Sequence, residues 1–501
     1  MNRIALLTIV FCAFIARLFL IWIGRPEFVG WFNHTYYYFV QTRELLESGK
    51  FAFPDLPLLF QLYAVSAKIL TWIGLDIQTA IIISTRFWMC LIPALIPISI
   101  YGVLRKVIEE TKTARYFFWA LIFISAFYPL TLVHHPEFLQ KNLLGLLLLS
   151  ILIYLSKQLI EKQNTKDVIV FALTFLLIIF THFGTTFVSI LYICSILVSI
   201  IIHKRKPWSN IFSLSLILGL VISLSTFYYL DIHRFERISS YIIRIVDSSI
   251  FGLLFSENDP DKFSTILMFF LPLGFTIILY SFFLKGKQQI HENKSIFWLG
   301  NIIFFYSLVL PIYEPLLLAR FVNFLTLPLI IIIAYTIQNS LKSIFWKKTI
   351  IGISVFVTIL IATGDIISLI MHNKNKEEAY KDLLKMKELI NFSERDLILS
   401  RNGVEHIANW FLNSKSSLIT SFNRQDFKKY NRIFILNPIE GEMKLQNVTN
   451  KENQKYNYML SNIDEPSDGI VMYSSSYIKL IHLTNPPKNW KYDHEDNWIG
   501  Y

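Results

Sequence analysis

The segment His134-His135-Pro136-Glu137-Phe138-Leu139-Gln140-Lys141-Asn142 sets two imidazoles, a carboxylate and an ammonium group at the entrance to a long apolar run. Glu137 and Lys141 stand four residues apart, a spacing that puts both on one helix face. The alternative reading is a solvated cap for that run. The paired histidines beside Glu137 could bind a divalent metal, but no second pair of ligands at metal spacing accompanies them. Thr181-His182-Phe183-Gly184-Thr185 is a tight turn between two further apolar runs. Gly184 permits the turn, and His182 then meets the membrane surface either as a substrate contact or as a hydrogen-bonded structural histidine. Arg320, in LLLARFVNF, opens another apolar run. A guanidinium there can hold a phosphate through two parallel hydrogen bonds, or it can snorkel as an anchor. Arg17, Arg86 and Asp365 also lie in apolar stretches, where a charge is costly and is expected to face the bundle interior. No GxGxxG, P-loop, HExxH, GxSxG or CxxC pattern is present.

The elements that must position these groups are membrane helices. The chain is 54% apolar, with a mean hydropathy of +0.47. A span needs roughly 20 apolar residues, and candidate spans fall near 4–24, 79–104, 115–133, 142–156, 167–181, 185–202, 209–230, 264–284, 296–312, 318–338 and 348–371. The first run is long, has no small-residue cleavage site and precedes further spans, so it is expected to be a retained anchor rather than a signal peptide. The net charge of +11 would suit nucleic acid, but its placement excludes that partner. Lys and Arg gather in alternate short loops, such as Arg105, Lys106, Lys112 and Arg115, then Lys204, Arg205 and Lys206. Those loops fall on one face together with Arg3, which the positive-inside rule makes cytoplasmic. The N-terminus is therefore expected inside an inner (plasma) membrane, and the tail beyond residue 371 outside. Cys12, Cys90 and Cys194 lie in apolar spans and read as core fillers rather than as a disulfide or a metal site.

Between the first and second spans lies a polar, aromatic segment too long for a hairpin. TYYYFVQTRELLES (35–48) predicts a helix, with Gly49 as its stop and Pro54 and Pro57 preventing continuation. Tyr36, Phe39 and Val40 share a face, while Gln41, Arg43, Glu44 and Glu47 are its polar positions, as expected of a helix lying at the interface. The run 58–75 is nearly long enough to cross, but counting it as a span would reverse the basic loops against Arg3. It is expected to be a second interfacial or re-entrant helix. After residue 372 the composition becomes that of a soluble domain: an amphipathic helix over 374–390, then strand (396–400), helix (404–412), helix (422–430) and strand (431–437). The expected organisation is an α-helical multi-pass membrane domain, 1–371, and a small extracytoplasmic α/β domain, 372–501.

The first outer loop, HTYYYFVQTRELLESGKFAFPDLPLLF (34–60), resembles that of the GT-C glycosyltransferases, including the aminoarabinose and mannosyl transferases that use polyprenyl-phosphate sugars. The shared pattern is an aromatic helix ending at Ser48-Gly49, then the proline-led Pro54-Asp55-Leu56-Pro57 entering a second interfacial helix. The resemblance extends as topology over 1–371. It implies a hexosyl- or pentosyltransferase that uses a polyprenyl-phosphate sugar as donor and an extracytoplasmic glycan, lipid or protein as acceptor. It also implies a catalytic carboxylate in this loop. Counted back from Gly49, that position falls on His34, with Asn33 beside it, and neither is a carboxylate. Three readings stay open: His34 is the base, since imidazole titrates near 6.5; Glu27 moves in; or the activity is lost. By the same resemblance Glu137 is a second acid, and Lys141 and Arg320 approach the donor phosphate; Asp55 and His182 are further candidates to line the substrate. Two other functions compete with transfer: a catalytically silent scaffold that binds a lipid-linked glycan, and a lipid or glycan transporter. A transporter would be expected to carry paired broken helices in related halves, and no such halves are visible.

Overall fold

The computed structural model describes residues 3–24, 35–108, 112–127, 140–230 apart from 163 and 205, 292–310, 321, 323–339, isolated positions between 349 and 359, 377–439 apart from a few loop residues, and parts of 463–499. The expected span at 264–284, and nearly all of the one at 348–371, lie outside these residues. Contacts divide the chain into two compact units: Met1–Phe19, Phe53–Tyr63 and Arg86–Asp365 in one, Leu20–Ala52, Ala64–Thr85 and Ile366–Tyr501 in the other.

The helices are α1 (Arg3–Gly24), α2 (Thr35–Ser48), α3 (Leu58–Trp72), α4 (Ile77–Val107), α5 (Lys112–Phe127), α6 (Gln140–Glu161), α7 (Thr165–Ile179), α8 (Phe183–Ile202), α9 (Lys206–Leu230), α10 (Glu292–Leu308) and α11 (Thr326–Asn339). Among the described residues, α1, α4, α6, α8 and α9 contain stretches long and apolar enough to cross a membrane. The apolar parts of α3, α5, α10 and α11 are shorter. In the first unit α10 packs on α8, α8 on α9, and α6 on α7. The helix α6 extends beyond the apolar run 142–156 at both ends. Gln140, Lys141 and Lys157 are buried there, and a partner for each lets the helix carry polar residues inward. At the start of α7 the Asn164 side chain accepts from the Lys166 amide, satisfying one of the donors a helix start leaves open. Arg17 is wholly buried and donates to the backbone carbonyls of Ala13 (3.1 Å) and Ala126 (2.5 Å). It faces the bundle interior, where the small residues Ala13, Ala94 and Ala126 pack together. Arg86 is half-buried, and Asp365 lies outside the described residues. Cys90 is buried, whereas Cys12 sits on the exposed face of α1 and is no core filler.

The second unit contains α12 (Glu377–Leu389), α13 (Val404–Leu412), the single turn α14 (Asp426–Lys429), and a five-stranded sheet of order β2-β1-β3-β5-β4. The strands are β1 (Asp396–Ser400), β2 (Lys415–Leu418), β3 (Arg432–Pro438), β4 (Ile470–Ser474) and β5 (Ile478–Leu483). β1 runs parallel to β2 and β3, and β5 runs antiparallel to β3 and β4. All five residues of β1 are buried, as a strand covered on both faces requires. Leu397, Leu399, Ile433, Ile435, Ile481 and Leu483 make one core with Phe422 and Ile463. Two short strands, β6 (Lys491–Tyr492) and β7 (Trp498–Ile499), form a separate antiparallel pair. Asp396 takes a two-pronged contact from Arg432, Nε to Oδ1 at 3.0 Å and Nη2 to Oδ2 at 2.6 Å. Burial pushes this carboxyl up, but the Arg432 guanidinium and the Ser393 amide outweigh that and hold it below the usual carboxylate range.

Candidate active site

The first unit brings together part of the predicted set. Pro54 and Pro57 bracket Asp55 and Leu56 in an extended stretch, because proline fixes φ and biases the preceding residue away from helix. The Leu56 amide donates to Asp55 Oδ1 at 2.7 Å. At Pro57 the chain turns helical: Gln61 N donates to Pro57 O at 2.9 Å, and α3 begins. Leu58 N donates to Phe180 O at 3.2 Å, which ties this segment to the turn between α7 and α8.

Lys141 is the second residue of α6, and its Nζ forms an ion pair with Asp55 Oδ2. Lys141 is 2% exposed and Asp55 3%. The same ammonium lies 4.6 Å from the centroid of the Phe60 ring. A cation at a helix N-terminus opposes the helix dipole, so the Asp55 carboxylate stabilises both the charge and its position. Tyr63 donates to Gln140 Oε1 at 2.8 Å, a second bond between α3 and the start of α6. Farther along α6, a Cβ at Gly145 would overlap the Thr185 side chain, so glycine lets α6 and α8 approach closely. His182 caps the start of α8 in extended conformation (φ −164°). Its carbonyl accepts from Thr186 Oγ1 at 3.0 Å.

Asp55 and Lys141 are thus in direct contact, and His182 follows two residues after the carbonyl that holds Leu58. His34, Asn33, Glu27, Glu137 and Arg320 lie outside the described residues, as do His134 and His135. Among the described residues, no group of three or more His, Cys, Asp or Glu is placed to hold a metal ion.

A second polar constellation lies in the other unit and was missed in the sequence. The α2 helix forms where the sequence predicts it and ends at Gly49 with φ +71°, a left-handed conformation that glycine adopts without strain. Part of its polar face is covered: Gln41 is wholly buried and Arg43 is 6% exposed, while Glu44 is half-buried and Glu47 exposed. The reason is α13, which packs on α2. Arg43 Nη2 bonds Asn409 Oδ1 at 2.5 Å and Asn409 O at 3.3 Å, and the guanidinium lies 5.5 Å from the Trp410 ring centroid. Phe39 meets Trp410, Tyr37 meets His406, and Tyr36 stacks on Tyr380. One turn before Asn409 on α13, Glu405 is buried and its Oε1 lies 3.3 Å from His406 Nε2. Its Oε2 has no hydrogen-bond partner among the described residues. Burial pushes this carboxyl up to about 8. A cleft of about 370 Å³ opens beside Arg43, lined also by Glu47, Gln78, Lys387, Asn391 and Asn413. The sequence signal for this group was Glu405-His406 and Asn409 within the largely apolar VEHIANWFL.

The fold of the chain is similar to that of a solved structure. The chain matches ArnT from Cupriavidus metallidurans in its structure bound to undecaprenyl phosphate, over 94% of this chain and 97% of that one, with a TM-score of 0.55 and 11% identity. It also matches the apo state of the same ArnT over 89% and 92% of the two chains, with a TM-score of 0.50 and 11% identity. At that identity the likeness is one of fold. No protein-family model and no curated protein matches the sequence.

Proposed function

We propose that this chain is an integral-membrane glycosyltransferase that moves a sugar from a polyprenyl-phosphate donor to an extracytoplasmic acceptor. The observation that carries the reading is the fold match along nearly the whole chain to a protein whose structure holds undecaprenyl phosphate. The first-loop pattern around Gly49 and Pro54-Asp55-Leu56-Pro57 supports it independently. In this reading residues 1–371 form the transmembrane domain, with the N-terminus cytoplasmic, and 372–501 the outer domain. The donor phosphate lies on Arg320. The Asp55–Lys141 pair holds the return of the first loop against α6 and lines the sugar site together with His182. An acceptor hydroxyl loses its proton to a loop base, His34 with Asn33 beside it, or Glu27. Its oxygen then bonds the anomeric carbon as the bond to the phosphate oxygen breaks. The lipid phosphate leaves as an anion, so fixed positive charge stabilises the transition state. Glu137 is the second acid of the site.

The test is release of polyprenyl phosphate by the purified chain in lipid vesicles, given polyprenyl-phosphate sugars and an outer-envelope extract as acceptor. Turnover that falls at least 100-fold in Arg320→Ala and His34→Ala supports the assignment. Full turnover in His34→Ala moves the base to Glu27. A second reading has one specific observation in its favour, the missing carboxylate at positions 33–34. A silent scaffold would bind the donor and release nothing.

A further inference from the structure

The helical unit contains a second concavity, at the other end of α6 from the Asp55–Lys141 pair. A cavity of about 640 Å³ opens between α4 and α6. Its wall is apolar where Ile98 of α4 looks toward Leu147 and Ile151 of α6, and its rim carries Arg3, Arg105 and Lys106. A hydrogen bond of 2.6 Å between Ser99 and Ser150 joins the two helices at this level. At Gly102 any Cβ would run into the Tyr154 ring, so close packing there bounds the space. Lys106 is held by Gln158 and Glu161, each at 2.5 Å, and Lys157 shares the same Glu161 at 3.1 Å. Arg3 and Arg105 make no hydrogen bond or ion pair among the described residues, and both are exposed. The following loop adds Glu109 and Glu110 together with Lys112 and Arg115, so it leaves the local excess of positive charge unchanged.

We propose that this cavity binds an anionic phospholipid, its phosphate on the Arg3–Arg105 rim and its acyl chains along the apolar wall between α4 and α6. Isolated snorkelling cations would point to the headgroup layer from separate places. Here three converge on one concavity whose wall suits hydrocarbon. A free phosphate would use the rim and leave the wall empty. Basic pockets between membrane helices are the usual seat of anionic headgroups. The proposal does not depend on the transfer reaction.

The experiment is native mass spectrometry of the full chain released from detergent containing equal amounts of phosphatidylglycerol and phosphatidylcholine of matched chain length. The wild type is expected to retain phosphatidylglycerol preferentially. The double variant Arg3→Ala/Arg105→Ala should lose roughly tenfold or more of that preference. Ile98→Trp, which fills the exposed wall and keeps the rim, should also lower retention. Equal retention of the two lipids, or an unchanged preference in the double variant, overturns the proposal. So does displacement of the lipid by millimolar inorganic phosphate, or full retention in Ile98→Trp, because either would reduce the site to an anion-binding rim.

Discussion

The entry of α6 and the start of α13 pose the same physical problem and solve it in opposite ways. Each buries a carboxylate beside a basic side chain that lies in the first turn of a helix. At α6 the partner is the Lys141 ammonium group, in an ion pair, and Asp55 also accepts from the Leu56 amide. At α13 the partner is His406, 3.3 Å away, and one Glu405 oxygen has no hydrogen-bond partner among the described residues. A buried carboxylate stays ionised when a full charge and a backbone donor compensate for its lost hydration. Without a full charge beside it, burial outweighs the backbone donors of Gly403 and Glu405, and the Glu405 carboxyl rises to about 8. The first arrangement fixes a loop by charge. The second leaves a neutral acid inside a packed helix, able to titrate near neutral pH.

The largest effect should come from breaking the first arrangement on one side. Lys141→Met leaves Asp55 buried without a counter-charge, which costs about 3–5 kcal/mol. The thermal midpoint of the purified chain should fall by several degrees, and donor turnover should go with it. Lys141→Met combined with Asp55→Leu removes both charges and should recover most of the stability without restoring turnover. A double variant as unstable as the single one would mean that the pair does not account for the cost.

Glu405→Gln tests the second arrangement, and its sign differs with pH. The folded carboxyl titrates near 8 and the ordinary value is 4.5, so the folded state favours the protonated form. Stability is therefore full below pH 4.5 and declines as pH rises toward 8, by about 1.4 kcal/mol for each pH unit at most. Glu405→Gln should match the wild type at pH 5 and exceed it at pH 8. Asp396 supplies the contrast within the same sheet unit. Its carboxyl is held low, so its contribution is present above the ordinary carboxylate range and disappears as the solution is acidified. Melting temperatures recorded from pH 4 to pH 9 on wild type, Glu405→Gln and Asp396→Asn would separate the two slopes.

The contrast also explains what could be read from the sequence. The helix over 35–48, its stop at Gly49, the strand at 396–400 and the helix at 404–412 follow from periodicity, a left-handed stop and short apolar runs, which are all local signals. The partners are not local. Asp55 was visible as an acid and Lys141 as a cation, but nothing near either residue names the other. Gln41 and Arg43 read as polar positions of a helix lying at the interface. Arg43 meets Asn409 across 366 residues of sequence, and only the packed α13 turns that face into an interior. Periodicity reports which residues share a face. It does not say what covers that face, and a buried ion pair depends on the cover.

Arg43 sharpens the comparison, because it is a full cation in the same unit as Glu405. It bonds Asn409, one turn along α13, and leaves Glu405 to its imidazole neighbour. Arg43→Ala should cost about 1–3 kcal/mol through the lost charge-assisted hydrogen bond and the lost contact with Trp410. It should also leave the pH slope of Glu405 in place, since burial is the main cause of that slope and Arg43 is not among the causes.

The smallest effect expected is that of His406→Phe, and it bears on the comparison most directly. If the imidazole acted as a weak version of Lys141, removing it would push the Glu405 carboxyl still higher and steepen the decline in stability toward alkaline pH. The geometry argues otherwise: the 3.3 Å separation is long for a charge-assisted bond, and burial is the largest cause of the rise. Phenylalanine keeps the aromatic contact with Tyr37, whose ring centroid lies 5.0 Å from that of His406. The midpoint of the pH–stability curve should therefore move by less than about one pH unit, a change of under roughly 1.4 kcal/mol. A larger upward displacement would make Glu405–His406 a weakened ion pair, and the two helix starts would then differ in degree rather than in kind.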